Sequence, residues 1–226
     1  MRSMTAAETQ TDRAYESLRN DILSGVLAAG STLQFAQLRE TYGHSMGVLR
    51  EALTRLAAEG LAVKRAQHGF RVIDLTLKDL NDLTESRILV ETAVLRDAIE
   101  HGDLDWESAI ISAHHKLERT EKHINGDPHS VTDAWAIAHQ AFHMALLSSA
   151  RNDRLKSYAE GLRASAELYR RWSMPFEIEP RDVDAEHRAL RDLTVARDVD
   201  EACGVLAQHL SFTRDLIVRG QTGAGG

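Results

Sequence analysis

The chain has 226 residues, 43% apolar and 27% charged, with 27 Lys and Arg against 34 Asp and Glu. That length buries one large core or two small ones, and the composition is that of an ordinary globular protein. No apolar run approaches the roughly 20 residues that cross a bilayer, and the opening MRSMTAAETQTDRAYE has no signal-peptide core, so a cytoplasmic protein with no membrane partner is expected.

The single cysteine, Cys203, excludes an internal disulfide framework and reads as a small buried hydrophobe. The formal charge of −7 argues at first sight against a nucleic-acid partner. It is unevenly placed, however: residues 1–75 hold nine Lys and Arg against eight Asp and Glu, so the acidic excess lies beyond them. The first part can still meet DNA with a few well-placed arginines.

Residues 1–10 read as a disordered tail. A first amphipathic helix is expected from about Thr11 to Ser24, with Ala14, Leu18, Ile22 and Leu23 on one face and Gly25 as its stop. After the loop VLAAGSTL a second helix covers about Phe35 to Tyr42 and ends at Gly43. The third, about Met46 to Glu59, sets Val48, Leu49, Ala52, Leu53, Leu56 and Ala57 on a core-facing stripe before Gly60. The period then changes to alternation in LAVKRAQHGFRVIDL, which predicts two short strands joined at Gln67-His68-Gly69, where Gly69 permits a positive φ. Beyond Thr76 only helices are expected: about 77–101, 105–125, 130–150, 153–173, 180–196 and 198–219. Short turns between them favour antiparallel neighbours. The tail QTGAGG reads as disordered.

Three helices and a hairpin are the layout of a winged helix-turn-helix, expected over residues 11–75. The exposed side of its third helix carries Ser45, Met46, Arg50, Thr54 and Arg55, and a guanidinium at Arg50 suits guanine edges or phosphate oxygens. Lys64, Arg65, His68 and Arg71 in the hairpin are candidates for flanking phosphates or the minor groove. Taken singly, such charges are often only solvated, and Arg55 can pair with Glu59 one turn on. The ordered set is more specific. LREALTRLAAEGL followed by QHGFRV resembles the reader helix and wing of the GntR regulators, from about Ala14 to Val72. The resemblance implies that Arg50 contacts an operator, that His68 and Gly69 form the wing tip, and that a homodimer reads a palindromic double-stranded site. Met46 stands where many members have arginine, and the Arg-Glu pair often found near Ala36 is missing, so the family's half-site rules are not expected to transfer.

Eleven histidines make close pairs in sequence unsurprising, so position has to decide. In AWAIAHQAFHMALL, His139 and His143 stand one helical turn apart and can hold one metal through two imidazoles. His187 in AEHRAL and His209 in LAQHLS sit near apolar faces of later helices, and inward histidines from several helices suit a transition metal. Each taken alone is more ordinarily a core histidine bonded to a neighbour. His114, His115, His123 and His129 lie in charged or turn-like segments and read as solvent-facing.

The segment from about Leu77 to Arg219 resembles the FCD domain, the all-helical effector domain of one large GntR subfamily, and so residues 76–220 are expected to bind effector and dimerise. The resemblance implies a metal held by His143, His187 and His209. The family's aspartate is here His139, kept as a fourth ligand, which shifts the expected metal toward zinc or nickel. A metal-free pocket of protonated histidines is the alternative.

The AHQAFH run, the LREAL reader helix with Gly47 and the stretch from Tyr169 to Trp172 together resemble the glutarate-utilisation branch of the subfamily. That likeness implies a small carboxylate effector, a dicarboxylate or hydroxy acid, with Arg87 presented to it and Tyr169 and Arg170 as further pocket residues. Arg87 can equally pair with Glu91 four residues on. A metal-dependent enzyme built on the histidines is the competing class, but no nucleophile elbow, phosphate loop or HExxH motif is present. Glu186 and Asp133, the acids nearest the histidines, read as solvated.

Overall fold

A computed structural model of the chain describes residues 9–65, 69–127, 131–173 and 182–223. It divides into two compact units, Met1–Thr76 and Leu77–Gly226. Both are mainly helical, and the only sheet among the described residues lies in the first.

In the first unit, helix α1 (Gln10–Leu23) opens on a capping box in which Thr9 and Asp12 bond each other's backbone N–H. The helix therefore claims residue 10, which the sequence assigns to the tail; residues 1–8 lie outside the described residues. Helix α2 (Phe35–Tyr42) ends on Gly43, whose φ of +68° makes the left-handed turn into helix α3 (Met46–Ala58). Ser45 caps α3 by accepting a hydrogen bond from the Val48 N–H. Ala14, Leu18, Leu38, Leu49, Leu53 and Leu56 fill the space between the three helices.

The wing is a three-stranded antiparallel sheet in the order β1 (Thr32–Leu33), β3 (Gly69–Val72), β2 (Ala62–Arg65). Strand β1 falls inside the segment read as a loop. Two residues are too few to display an alternating pattern, and their pairing with Arg71 and Phe70 comes from the distant strand. Gly69 has the positive φ expected of it, +75°.

The second unit contains α4 (Leu77–His101), α5 (Leu104–Glu118), α6 (Asp133–Leu147), α7 (Asp153–Ser173), α8 (Val183–Val195) and α9 (Val199–Gly223). Helix α4 packs along α7 and α9, and α5 against α6 and α8. Leu95, Ile99, Ile110, Phe142, Leu146, Leu190 and Leu206 are buried in one continuous core. Each such side chain contributes about 1.5–3 kcal/mol through removal from water. Where α4 turns into α5, a Cβ on Gly102 would come within 1.9 Å of the Trp106 ring, so only glycine lets that ring close the corner. Trp106 Nε1 in turn donates to the Ala145 carbonyl at 3.0 Å.

Three expectations change here. Helix α5 stops at Glu118 rather than near residue 125, because Thr132, the cap of α6, ties back to the Glu121 and Lys122 carbonyls and holds the chain in a turn. Helix α9 runs on to Gly223, so the first three residues of QTGAGG are helical, while 224–226 lie outside the described residues. His114 is buried rather than solvent-facing: its Nδ1 accepts from Arg191 at 3.1 Å and its ring meets Phe142 edge-on. His129 lies outside the described residues. No helix among the described residues is long and apolar enough to cross a membrane.

Candidate functional site

The outer side of α3 presents Met46, Arg50 and Thr54, all exposed. Arg50 lies 5.5 Å from the Phe35 ring centroid and 3.9 Å from the Met46 sulfur, contacts that steer its guanidinium without consuming a charge. The Thr54 hydroxyl donates to the Arg50 carbonyl at 2.7 Å. Arg55, also exposed, is bonded to Asp12 at 2.8 Å and lies 4.1 Å over the Tyr15 ring. Its hydrogen-bonded partner is Asp12, while the nearby Glu59 carboxylate accepts from the Tyr15 hydroxyl. The Thr9 hydroxyl, and then Arg55, lower the Asp12 carboxyl to about 2.

In the wing, Lys64 and Arg65 are exposed on β2. Arg71 braces the sheet by bonding the Gly30 carbonyl and Asp74, and so is only partly available to a partner. His68 lies outside the described residues.

In the helical unit the four singled-out histidines come together. His139 and His143 from α6, His187 from α8 and His209 from α9 each offer a ring nitrogen within 4.8 Å of all the others. Their ring centroids are 4.6 to 6.0 Å apart. His143 and His187 are buried, with Phe142 packed edge-on against both; His139 and His209 are half-buried. His139 also stacks on Trp135, with centroids 4.7 Å apart and planes 13° from parallel.

Burial, and then the neighbouring His187 and Arg163, hold His139 well below its ordinary protonation range. Burial and Arg163 do the same for His143. Both rings are therefore neutral near pH 7, as metal ligands must be. His209 Nδ1 lies 2.8 Å from a Glu186 carboxylate oxygen. The carboxylate can only accept, which places a proton on Nδ1 and leaves Nε2 as the nitrogen that a metal would take.

The donor set fits a nitrogen-preferring transition metal. The Nε2 atoms of His139 and His143 are 3.2 Å apart. Two tetrahedral ligands at about 2.0–2.1 Å from one ion lie roughly 3.3 Å apart, so little rearrangement is required. The Glu186–His209 pair is the outer support that such histidines usually have.

His139 and His209 also form part of the wall of a cavity of about 100 Å³, together with Arg87, Arg163, Tyr169 and Arg170. A dry cavity of about 150 Å³ admits a benzene ring, so this volume suits a small ligand. Arg87 does pair with Glu91, Nε to Oε1 at 2.7 Å, yet it still faces the cavity. Tyr169 donates its hydroxyl to Asp79 at 2.8 Å, and Arg170 donates to Glu167 at 2.7 Å while covering the Trp135 ring. Burial works to raise the Glu167 carboxyl, but Arg170 and Arg171 overcome it and leave it low.

Arg163 escapes the sequence reading, while Glu91, expected as the partner of Arg87, and Glu186, expected as solvated, take on further roles. Glu91 and Arg163 are buried and bonded at 2.7 Å, and Glu186 turns from a solvated helix residue into the partner of His209. For Glu91 a signal exists: it shares a stripe with Val94, Leu95 and Ala98, so a carboxylate on that face demands a buried cation. Arg163 sits among polar and small residues and gives no such signal.

Comparison with known proteins gives a consistent assignment. Residues 10–72 match the profile of bacterial regulatory proteins of the gntR family, and residues 82–212 match the FCD domain. The chain is 35% identical over 206 residues to the HTH-type transcriptional regulator BphR of Paraburkholderia xenovorans, covering 91% of this chain and 84% of that one. It is 29% identical over 214 residues to the HTH-type transcriptional repressor GlaR of Escherichia coli, covering 92% and 96%. Among solved structures, a GntR family member from Pseudomonas syringae is 26% identical with a TM-score of 0.53, covering 98% of this chain and 91% of that one. Escherichia coli McbR/YncC shares the fold at 18% identity and a TM-score of 0.69, covering 96% and 99%. A helix-turn-helix with an exposed Arg50, joined to a helical unit built around clustered histidines, thus belongs to the GntR family of DNA-binding transcription regulators, in its FCD-bearing branch, and is not an enzyme.

Proposed function

We propose that the protein is a dimeric repressor that binds a palindromic operator through α3 and the wing and releases it when a small carboxylate effector enters the helical unit. The observation that carries this reading is the four-histidine cluster, two members of which border a cavity otherwise rich in guanidinium groups. FCD domains often bind metal, and His139, His143, His187 and His209 would hold zinc or nickel here. When bound, such an ion supplies a Lewis-acidic partner for a carboxylate oxygen. The chain's own residues do the rest: Glu186 orients His209, Trp135 and Phe142 fix the rings of α6, and Arg87 draws in the anion. The direction of the His139 and His143 shifts counts against a pocket of protonated histidines. GlaR, named as a repressor, supports repression as the sense of control.

A gel-shift titration on DNA upstream of the gene itself, with metal-replete protein at low salt, tests the DNA half. Arg50→Ala is expected to weaken operator binding by about 1–3 kcal/mol, as for loss of a base-contacting arginine. No shifted band with the wild-type chain would overturn the reading. Elemental analysis tests the metal half, with about one zinc or nickel ion per chain expected. Glu186→Gln is expected to lower metal affinity about 10- to 100-fold without unfolding the protein, because it removes only the support of His209. Unchanged affinity in a competition titration against a chelator would remove Glu186 from the site.

A further inference from the structure

Arg163 on α7 is the buried charge for which the reading above has no use. Its side chain is 3% exposed, its Nη1 donates to Glu91 Oε2 at 2.7 Å, and it forms part of the wall of the cavity that His139 and His209 border. Glu91 is also held by Arg87, so two guanidiniums share one buried carboxylate and a unit of positive charge is left over. The Arg163 Nε–H is buried with no hydrogen-bond partner among the described residues. An orphaned, charge-bearing donor in a dry site costs free energy unless a ligand satisfies it. Glu91 fixes both guanidiniums before any ligand arrives, so little ordering remains to be done on binding.

The geometry points to Arg163 as a second anion anchor of the effector site, one that selects a dicarboxylate over a monocarboxylate of the same length. This rests on the effector reading of the cavity. A dication held by the four imidazoles and backed by the Glu186 carboxylate would keep about one unit of charge, and the Arg87–Glu91–Arg163 group adds one more. A monoanion leaves one of the two centres uncompensated. A dianion answers both centres, one carboxylate toward the histidine cluster and the other toward Arg163. Arg170 and Arg171 contribute little to the balance, being occupied by Glu167 and Asp133.

The test titrates the full chain, zinc-loaded and chelator-stripped, with succinate, glutarate and adipate and with the monocarboxylates butyrate and valerate, read by calorimetry. At least one dicarboxylate is expected to bind zinc-loaded wild type more tightly than the monocarboxylate of equal length. Arg163→Lys keeps a cation for Glu91 but loses the planar N–H edge; it is expected to weaken the dicarboxylate about 10- to 100-fold. Its monocarboxylate affinity, zinc content and Tm are expected to stay close to wild type. The double variant Arg163→Gln with Glu91→Gln keeps the unit of net charge, now on Arg87 alone, and is expected to show the same selective loss because the Arg163 N–H donors are gone. Equal affinity for both ligand classes in the wild type, unchanged dicarboxylate affinity in Arg163→Lys, or equal weakening of both classes would overturn the anchor. Dicarboxylate binding that is insensitive to zinc yet lost in Arg163→Lys would sink the metal reading and leave the anchor standing.

Discussion

Replacing Glu91 by alanine is expected to lower the unfolding free energy by about 3–5 kcal/mol, the cost of breaking a buried ion pair from one side. Glu91 is 1% exposed and is bonded by Arg87 and Arg163, so its removal leaves two guanidiniums in a dry interior with no counter-charge. Urea denaturation of the variant, followed by circular dichroism, checks it. A loss below about 1 kcal/mol, the range of exposed pairs, would mean that water reaches the site.

The same pairing has a pH signature. Burial alone would raise the Glu91 carboxyl, but Arg87 and then Arg163 overcome it and hold it below its ordinary 4.5. A depressed carboxylate stabilises the fold fully above its unfolded value, and that contribution disappears as the pH falls through the folded value. The difference in stability between wild type and Glu91→Ala should therefore be constant near neutrality and shrink in acid below 4.5. A further variant separates stability from function. Replacing Arg87, Glu91 and Arg163 together by methionine is expected to be close to neutral for folding while abolishing dicarboxylate binding, since buried ion networks seldom outperform apolar packing of the same volume.

Phe142→Ala is the second large effect, at about 3–5 kcal/mol for a fully buried aromatic cut to a methyl. The ring is 0% exposed and packs edge-on against His114, His143 and His187, each at 5.4 Å. Its loss opens a cavity beside two of the four clustered histidines, so zinc affinity is expected to fall along with stability. Phe142→Leu fills most of the volume and should recover much of both. A Phe142→Ala protein that is destabilised yet binds zinc as wild type does would show that the histidines are held by their helices alone.

These residues also show what the sequence made legible and what it did not. Gly43 and Gly60 punctuate the helices where expected because a left-handed residue is a local requirement. His139 and His143 were readable as a pair because one helical turn fixes their relation whatever surrounds them. That His187 and His209 complete the group depends on α8 and α9 packing against each other, which local periodicity does not encode. Arg163 and His114 were missed for a related reason: a charged or polar residue in an amphipathic helix reads as solvated until its partner, Glu91 or Arg191, arrives from a segment more than 70 residues away. Arg55 is exposed as its place on the helix implies, but its partner Asp12 in α1 is again one that local periodicity does not supply.

The stacking of His139 on Trp135 gives the protein a built-in optical signal. An indole lying almost parallel to the His139 imidazole at 4.7 Å would be within contact range of any ion that this ring held. Zinc, with a closed d shell, should change the emission of Trp135 mainly through polarity and ring rigidity. Nickel, with an open shell, should quench it. Of the three tryptophans in the chain, Trp106 is bonded to the Ala145 carbonyl. A Trp135→Phe variant therefore isolates the response. The identity of the ion can then be followed in an unlabelled protein, by the brightness of one side chain.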